Sequence, residues 1–194
     1  VRDAQETRFA SPEEAYEDAM KYCIRFLLKM DRFTTEVVWR LKNRGIRANV
    51  ARQVAERLAE SGLVDDDRAL AGIVRAWQEG GRLGLARLKL RLIQRHAPPA
   101  LIEDAMAKLA ALTDEEGLAY EVLSRSRRTW LQRAVAKAEA ALTNVEPRLI
   151  GRKRREAMLK VKARLLAFLI GRGFGSDAAR RSVNRLWAEA TETN

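Results

Sequence analysis

Arg40-Leu41-Lys42-Asn43-Arg44-Gly45-Ile46 decides the fold, because the chain writes it three times. Moving 51 positions on gives Arg91-Leu92-Ile93-Gln94-Arg95-His96-Ala97. Moving 128 positions on gives Phe168-Leu169-Ile170-Gly171-Arg172-Gly173-Phe174. Apolar or small residues recur downstream at matching places: Val50, Leu101 and Ala178; Val54, Ala105 and Ser182; Leu58, Leu109 and Leu186. Upstream, Val37, Leu88 and Leu165 correspond. Each copy reads as a helix that ends in Arg-Gly or Arg-His, a short turn and a second helix. Repeats of this length, each unable to bury its apolar face alone, are expected to stack into an elongated, curved array whose handedness the sequence leaves open. Such an array favours binding an extended partner over chemistry at one pocket.

Outward from these motifs the pattern is helical throughout. Ser11-Pro12-Glu13-Glu14 supplies a cap oxygen, a proline at the first helical position and carboxylates at the positive end of the dipole. Ala15, Ala19, Tyr22, Cys23, Leu27 and Met30 then follow a helical period. Thr34 is placed to cap the next helix, and Gly45 and Gly62 to end two more. Asp65-Asp66-Asp67 reads as a helix start, as does Thr113-Asp114-Glu115-Glu116. Pro98-Pro99 allows a turn and a new start. Residues 115–142 and the stretch through Leu159, Leu166 and Leu169 predict two long helices. No alternating β-branched run or hairpin turn is present. The expectation is all-α: a disordered tail over 1–12, then three-helix repeats over 13–62, 63–112 and 113–194, the last with an extended basic segment at 124–155.

The 194 residues carry a formal net charge of +11. The excess is uneven, about +2 over 1–62, +2 over 63–112 and +7 over 113–194. A basic final third suits an anionic partner, either nucleic acid or an acidic protein surface, and equally a solvated face. Cys23 is the only cysteine, which excludes an internal disulfide and fits the cytoplasm. Its apolar neighbours predict a buried thiol. His96 is the only histidine, so no metal-ligand cluster is expected. No phosphate-binding glycine loop, HExxH or GxSxG motif appears, and neither an enzyme nor a cofactor is predicted. No apolar run is long enough to span a bilayer.

Three segments carry a family resemblance: Phe33-Thr34-Thr35-Glu36-Val37-Val38-Trp39-Arg40-Leu41-Lys42-Asn43-Arg44-Gly45-Ile46, the junction Glu60-Ser61-Gly62-Leu63-Val64-Asp65-Asp66-Asp67-Arg68-Ala69-Leu70-Ala71, and Leu169-Ile170-Gly171-Arg172-Gly173-Phe174. In this order they resemble the RecX family over residues 13–190. Ala69 stands where that family usually has an aromatic, and the region 124–155 is longer than the family's third unit usually allows. The resemblance implies a monomeric cytoplasmic regulator that lies in the groove of RecA recombinase–DNA filaments. It would restrain ATP hydrolysis, strand exchange and repressor cleavage, and so act in recombinational DNA repair and the SOS response.

Two residue sets are candidates for contact. Arg40 and Arg91 on the middle helices, with Arg44, Arg95 and Arg172 at their ends, would line a stripe, since the guanidinium fork pairs with carboxylate or phosphate. A cation at a helix C-terminus is also favoured without any partner. Trp39 lies off the apolar face that Val37 and Val38 supply, and reads as an interface anchor or as core. Arg152, Lys153, Arg154, Arg155, Lys160, Lys162 and Arg164 form the densest basic feature, suited to DNA or an acidic surface. Trp130, beside Arg127 and Arg128, mixes basic and aromatic character but fits the core spacing. The alternative to filament regulation is direct, largely sequence-nonspecific DNA binding through helix-turn-helix-like modules.

Overall fold

The computed structural model describes residues 11–143 and 145–192. Of the expected disordered tail over 1–12, residues 1–10 lie outside them, while Ser11 caps α1 and Pro12 is its first residue. Among the described residues the fold is all-α and contains no strand. Its helices are α1 (Pro12–Leu27), α2 (Thr34–Asn43), α3 (Ala48–Glu60), α4 (Asp66–Gly80), α5 (Leu85–Gln94), α6 (Pro99–Leu112), α7 (Glu115–Ala140), α8 (Pro147–Gly171) and α9 (Ser176–Glu192). None of them is long and apolar enough to cross a membrane.

The three copies of the motif share one helix-ending geometry. Arg44 caps α2, Gly45 takes a φ of +89°, and the Ile46 N–H returns to the Leu41 carbonyl at 3.0 Å. At the end of α5, His96 takes +53° and Ala97 N–H donates to Leu92 at 3.0 Å. At the end of α8, Gly173 takes +83° and Phe174 N–H donates to Leu169 at 3.2 Å. The residue before each closing amide also donates, to Lys42, Ile93 and Ile170 respectively. This paired closure satisfies carbonyls that a helix end leaves open, and it needs one left-handed residue. Burial then fixes the register. Leu41, Leu92 and Leu169 are fully buried, and Ile46, Ala97 and Phe174 follow them into the core. Each buried leucine contributes roughly 1.5–3 kcal/mol.

Three helices stand in each of the stretches 13–62, 63–112 and 113–194. By packing, the described residues form two compact units, those of 11–78 with 89–106, and those of 79–88 with 107–192. The borders fall inside α4, α5 and α6, so the middle three helices are shared out between the units. In the first unit α1, α2 and α3 enclose Ala19, Cys23, Val37, Leu41, Val54 and Leu58. In the second, α7, α8 and α9 enclose Leu123, Leu131, Leu165, Leu169, Val183 and Leu186. Ser182 is the buried polar member of α9, and its single proton is shared between the Ala178 and Glu116 carbonyls at 2.8 and 2.9 Å.

Several local expectations shift. α1 stops at Leu27 with Leu28 as its cap, so Met30 falls off the helical stripe and is exposed. Leu159 lies far along α8 and is also exposed. Thr34 is the first residue of α2 rather than its cap. The capping oxygen comes from another helix: Asp66 Oδ1 accepts from Thr34 N–H at 2.7 Å and from its hydroxyl at 3.0 Å. Asp65 caps its own helix, accepting from Arg68 N–H at 2.9 Å. Before α7 the cap is Asp114, which accepts from Gly117 N–H. The length in 124–155 goes into helix: α7 has 26 residues and α8 has 25, against 10–17 elsewhere.

Candidate protein-binding interface

The first unit carries a groove of about 710 Å³ between α2 and residues 89–103. Its floor is Val38, Trp39, Ile93, Ala97 and Ile102, with Lys42, Arg52 and Lys89 around it. Trp39 is 46% exposed and Ile93 51%. The helical period explains both. Val37 and Leu41 turn into the core, as do Leu88 and Leu92, and the residues beside them are left at the groove.

His96 holds the groove's end. Its ring stacks on Trp39, centroids 4.2 Å apart and planes at 25°. Its carbonyl accepts a hydrogen bond from the Thr35 hydroxyl. These contacts offset the strain of a non-glycine residue at positive φ, which costs roughly 1–3 kcal/mol. An exposed tryptophan stacked in place, on an apolar floor with cations around it, has the composition of a protein-contact hot spot. Trp39 was marked by its position off the stripe. Ile93 and the flanking Lys42, Arg52 and Lys89 were missed, because their convergence needs α2 and α5 brought side by side.

Most of the arginines of the repeated motif have partners inside their own unit. Glu36, 2% exposed, is the collecting point. Its carboxylate accepts from Arg32 at 2.7 Å, Arg40 at 3.1 Å and Arg95 at 3.1 Å. Arg95 also donates to the Asp31 carbonyl at 2.9 Å. Arg44 pairs with Asp18 at 3.2 Å and lies 4.7 Å over the Tyr22 ring. Arg91 is different: it is exposed on α5 and its guanidinium has no hydrogen bond or ion pair among the described residues. Arg172 lies 4.1 Å over the Phe168 ring.

The basic residues 152–164 lie along the middle of α8. Arg152 pairs with Glu156, and Arg154 reaches Glu139 of α7 at 2.8 Å. Lys162 bonds Asn184 at 3.3 Å and sits over the Trp187 ring. Lys153, Arg155, Lys160 and Arg164 are exposed and have no hydrogen-bond or ion-pair partner among the described residues. Trp130 is half-buried against the second unit's core, as its spacing predicted. Cys23 is fully buried, and loss of water pushes its thiol from 9.0 up to about 12.

No family model matches the chain. It is 28% identical to the regulatory protein RecX of Thermobifida fusca over 199 residues, covering 100% of this chain and 92% of that one. It is 28% identical to the regulatory protein RecX of Mycobacterium tuberculosis over 169 residues, covering 87% and 86%. The crystal structure of RecX from Lactobacillus salivarius superposes with a TM-score of 0.57 at 18% identity, covering 90% of this chain and 97% of that one. The relatives align over most of the chain's length and the fold is shared with a solved RecX structure: the chain is similar to RecX regulatory proteins.

Proposed function

We propose that this protein is a monomeric, non-enzymatic regulator of RecA recombinase. It acts in the bacterial cytoplasm by docking in the groove of RecA–DNA filaments. The observation that carries this reading is the Trp39–Ile93 groove, a solvent-exposed apolar surface with Lys42, Arg52, Lys89 and Glu103 around it on a chain similar to RecX proteins. A filament repeats its surface at every protomer, so a chain of helical units meets it with linked weak contacts, each raising the effective concentration of the next. Trp39 anchors one contact, and Arg91 supplies a guanidinium with no internal partner. A chain that bridges protomers opposes the relative motion accompanying ATP turnover. It also shields the groove from the second DNA and from repressor, so inhibition of hydrolysis, strand exchange and coprotease activity is the expected direction.

The test is DNA-dependent ATP hydrolysis by RecA from the same organism, titrated with this protein below one copy per protomer. Suppression is expected, with Trp39→Ala raising the half-effective concentration by about tenfold or more. Unchanged hydrolysis at saturating protein overturns the reading. A second reading, direct and largely sequence-nonspecific DNA binding, is favoured by the partnerless cations of α8.

A further inference from the structure

The offset of 128 residues that aligns α2 with α8 also aligns their charges. Arg32 corresponds to Lys160, Glu36 to Arg164, Arg40 to Phe168 and Arg44 to Arg172. The helix ends close in the same way, so Glu36, Arg40 and Arg44 hold the places of Arg164, Phe168 and Arg172 on equivalent helices, while Arg32 precedes α2 and Lys160 lies within the longer α8. In the first unit a buried carboxylate gathers three guanidinium groups. In the second an arginine stands where that carboxylate would be.

What surrounds Arg164 has no internal counter-ion. The Arg127 guanidinium lies 4.2 Å over the Phe168 ring and the Arg172 guanidinium 4.1 Å over it. Arg127, Arg164 and Trp130 line a cavity of about 240 Å³. Among the described residues none of the three guanidinium groups has a hydrogen-bond acceptor or a carboxylate partner, and Arg172 Nε is buried without one. Nearby carboxylates are engaged elsewhere. Glu189 takes the Tyr120 hydroxyl, Arg128 and Arg185, and Glu116 takes Arg181.

We propose that Arg127, Arg164 and Arg172, with Trp130, form a binding site for the phosphate groups of a single nucleic-acid strand. A guanidinium stacked on an aromatic ring uses its face and keeps its N–H edge for an anion, and that edge matches two phosphate oxygens. Trp130 offers a half-buried ring in the same cavity, where a base stacks without regard to its identity. Lys160 and Lys153 continue the track along α8, four and eleven residues before Arg164, at about 1.5 Å of rise per residue. This inference locates the DNA-binding reading at one site and is independent of the recombinase reading.

The experiment is fluorescence anisotropy of a labelled oligothymidylate strand titrated with the full chain at several salt concentrations. Arg164→Glu restores the residue type of the first repeat. It is expected to weaken binding about tenfold or more and to flatten the salt slope by about 0.7 for each phosphate no longer neutralised. Arg164→Gln falls between, which separates lost attraction from added repulsion. Arg75→Glu, on the exposed side of α4, makes the same change in net charge and is expected to stay within about twofold. Thermal melts confirm that each variant is folded. Equal weakening by Arg75→Glu and Arg164→Glu overturns the site in favour of a general basic field. No binding by the unaltered chain overturns the DNA-binding reading itself. Poly-glutamate competing as well as the strand would assign the site to an acidic protein surface. ATP competing as well would assign it to free nucleotides. Either result overturns the proposal.

Discussion

The helix ends of α2 and α8 share a backbone and oppose each other in charge. At α2, Glu36 closes a network with Arg32, Arg40 and Arg95, and few donors are left over. At α8, Arg164 occupies the matching place, and Arg127 and Arg172 crowd the Phe168 ring with no acid between them. The two ends stay alike because their shape depends on a fully buried leucine, a left-handed residue and a returning amide, none of which involves the charged side chains. Their charges are free to diverge because those side chains take no part in the backbone closure. Each cluster leaves one buried guanidinium Nε without an acceptor, Arg32 in the first and Arg172 in the second, at a cost of roughly 1–3 kcal/mol apiece. The first gathers its guanidinium groups on the Glu36 carboxylate, whereas the second has no carboxylate of its own and leaves that place to an arriving anion.

The severest way to break this contrast is Glu36→Ala. It strands Arg32 and Arg95, both largely buried, and is expected to cost about 3–5 kcal/mol in urea unfolding. Cys23, buried in the same unit, reports the loss locally. Its thiol labelling should accelerate roughly a hundredfold or more in this variant, and far less in Arg164→Glu. An unchanged labelling rate would mean that the Glu36 network does not hold the first unit together.

The second unit has its own point of weakness in backbone packing. Gly84 N–H donates to the Arg172 carbonyl at 2.9 Å, and a Cβ there would collide with the Gly173 backbone. Gly84→Ala is expected to cost about 1–3 kcal/mol by thermal melting and to disturb the Arg172 site without touching a charge. A neutral outcome would show that the α8 end tolerates displacement.

Alkaline pH tests the first unit again. The Cys23 thiol is raised to about 12 when folded, so the folded protein keeps a proton that the unfolded chain loses above about 9. Its stabilising contribution is complete below pH 9 and is lost as pH rises toward 12, by at most about 1.4 kcal/mol per pH unit. Cys23→Ala should show a shallower decline over that window in denaturant titrations. Parallel declines would exclude the thiol as the cause.

Smaller effects sharpen the contrast. Asp66→Ala removes the borrowed cap of α2 and should cost about 1 kcal/mol in denaturant midpoint. Arg164→Glu places an acid beside Arg127 and Lys160, and should stabilise by about 0.5–1 kcal/mol. Its failure to stabilise would argue that the α8 cluster is already relaxed by solvent. Glu189 is held below the usual carboxylate range, first by the Tyr120 hydroxyl and then by Arg128 and Arg185. Its contribution is present above its unfolded value and is lost as pH falls through the lower folded one. Tyr120→Phe should move its NMR titration midpoint upward.

Much of the fold was legible in the residues. Gly45, Gly62 and Gly173 marked helix ends because few other residues adopt positive φ cheaply, and the 3.6-residue period named Val37, Leu41, Leu88, Leu92, Leu165 and Leu169 as core. The candidate groove was legible in part. Trp39 stood off its stripe and was marked, while Ile93 and Lys89 were silent. The repeated arginines read as one stripe, yet Arg40, Arg44 and Arg95 close on carboxylates within their unit. Met30 followed the helical period and still ended outside the helix.

By itself the sequence determined the helices, their ends and the threefold recurrence, because these depend on neighbours within a turn or two along the chain. Only the tertiary structure decided which charges cancel. Glu36 meets Arg95 across 59 positions, and Arg127 meets Phe168 across 41. Whether an arginine finds an acid or another arginine depends on which helices pack together, and a local pattern carries no information about that.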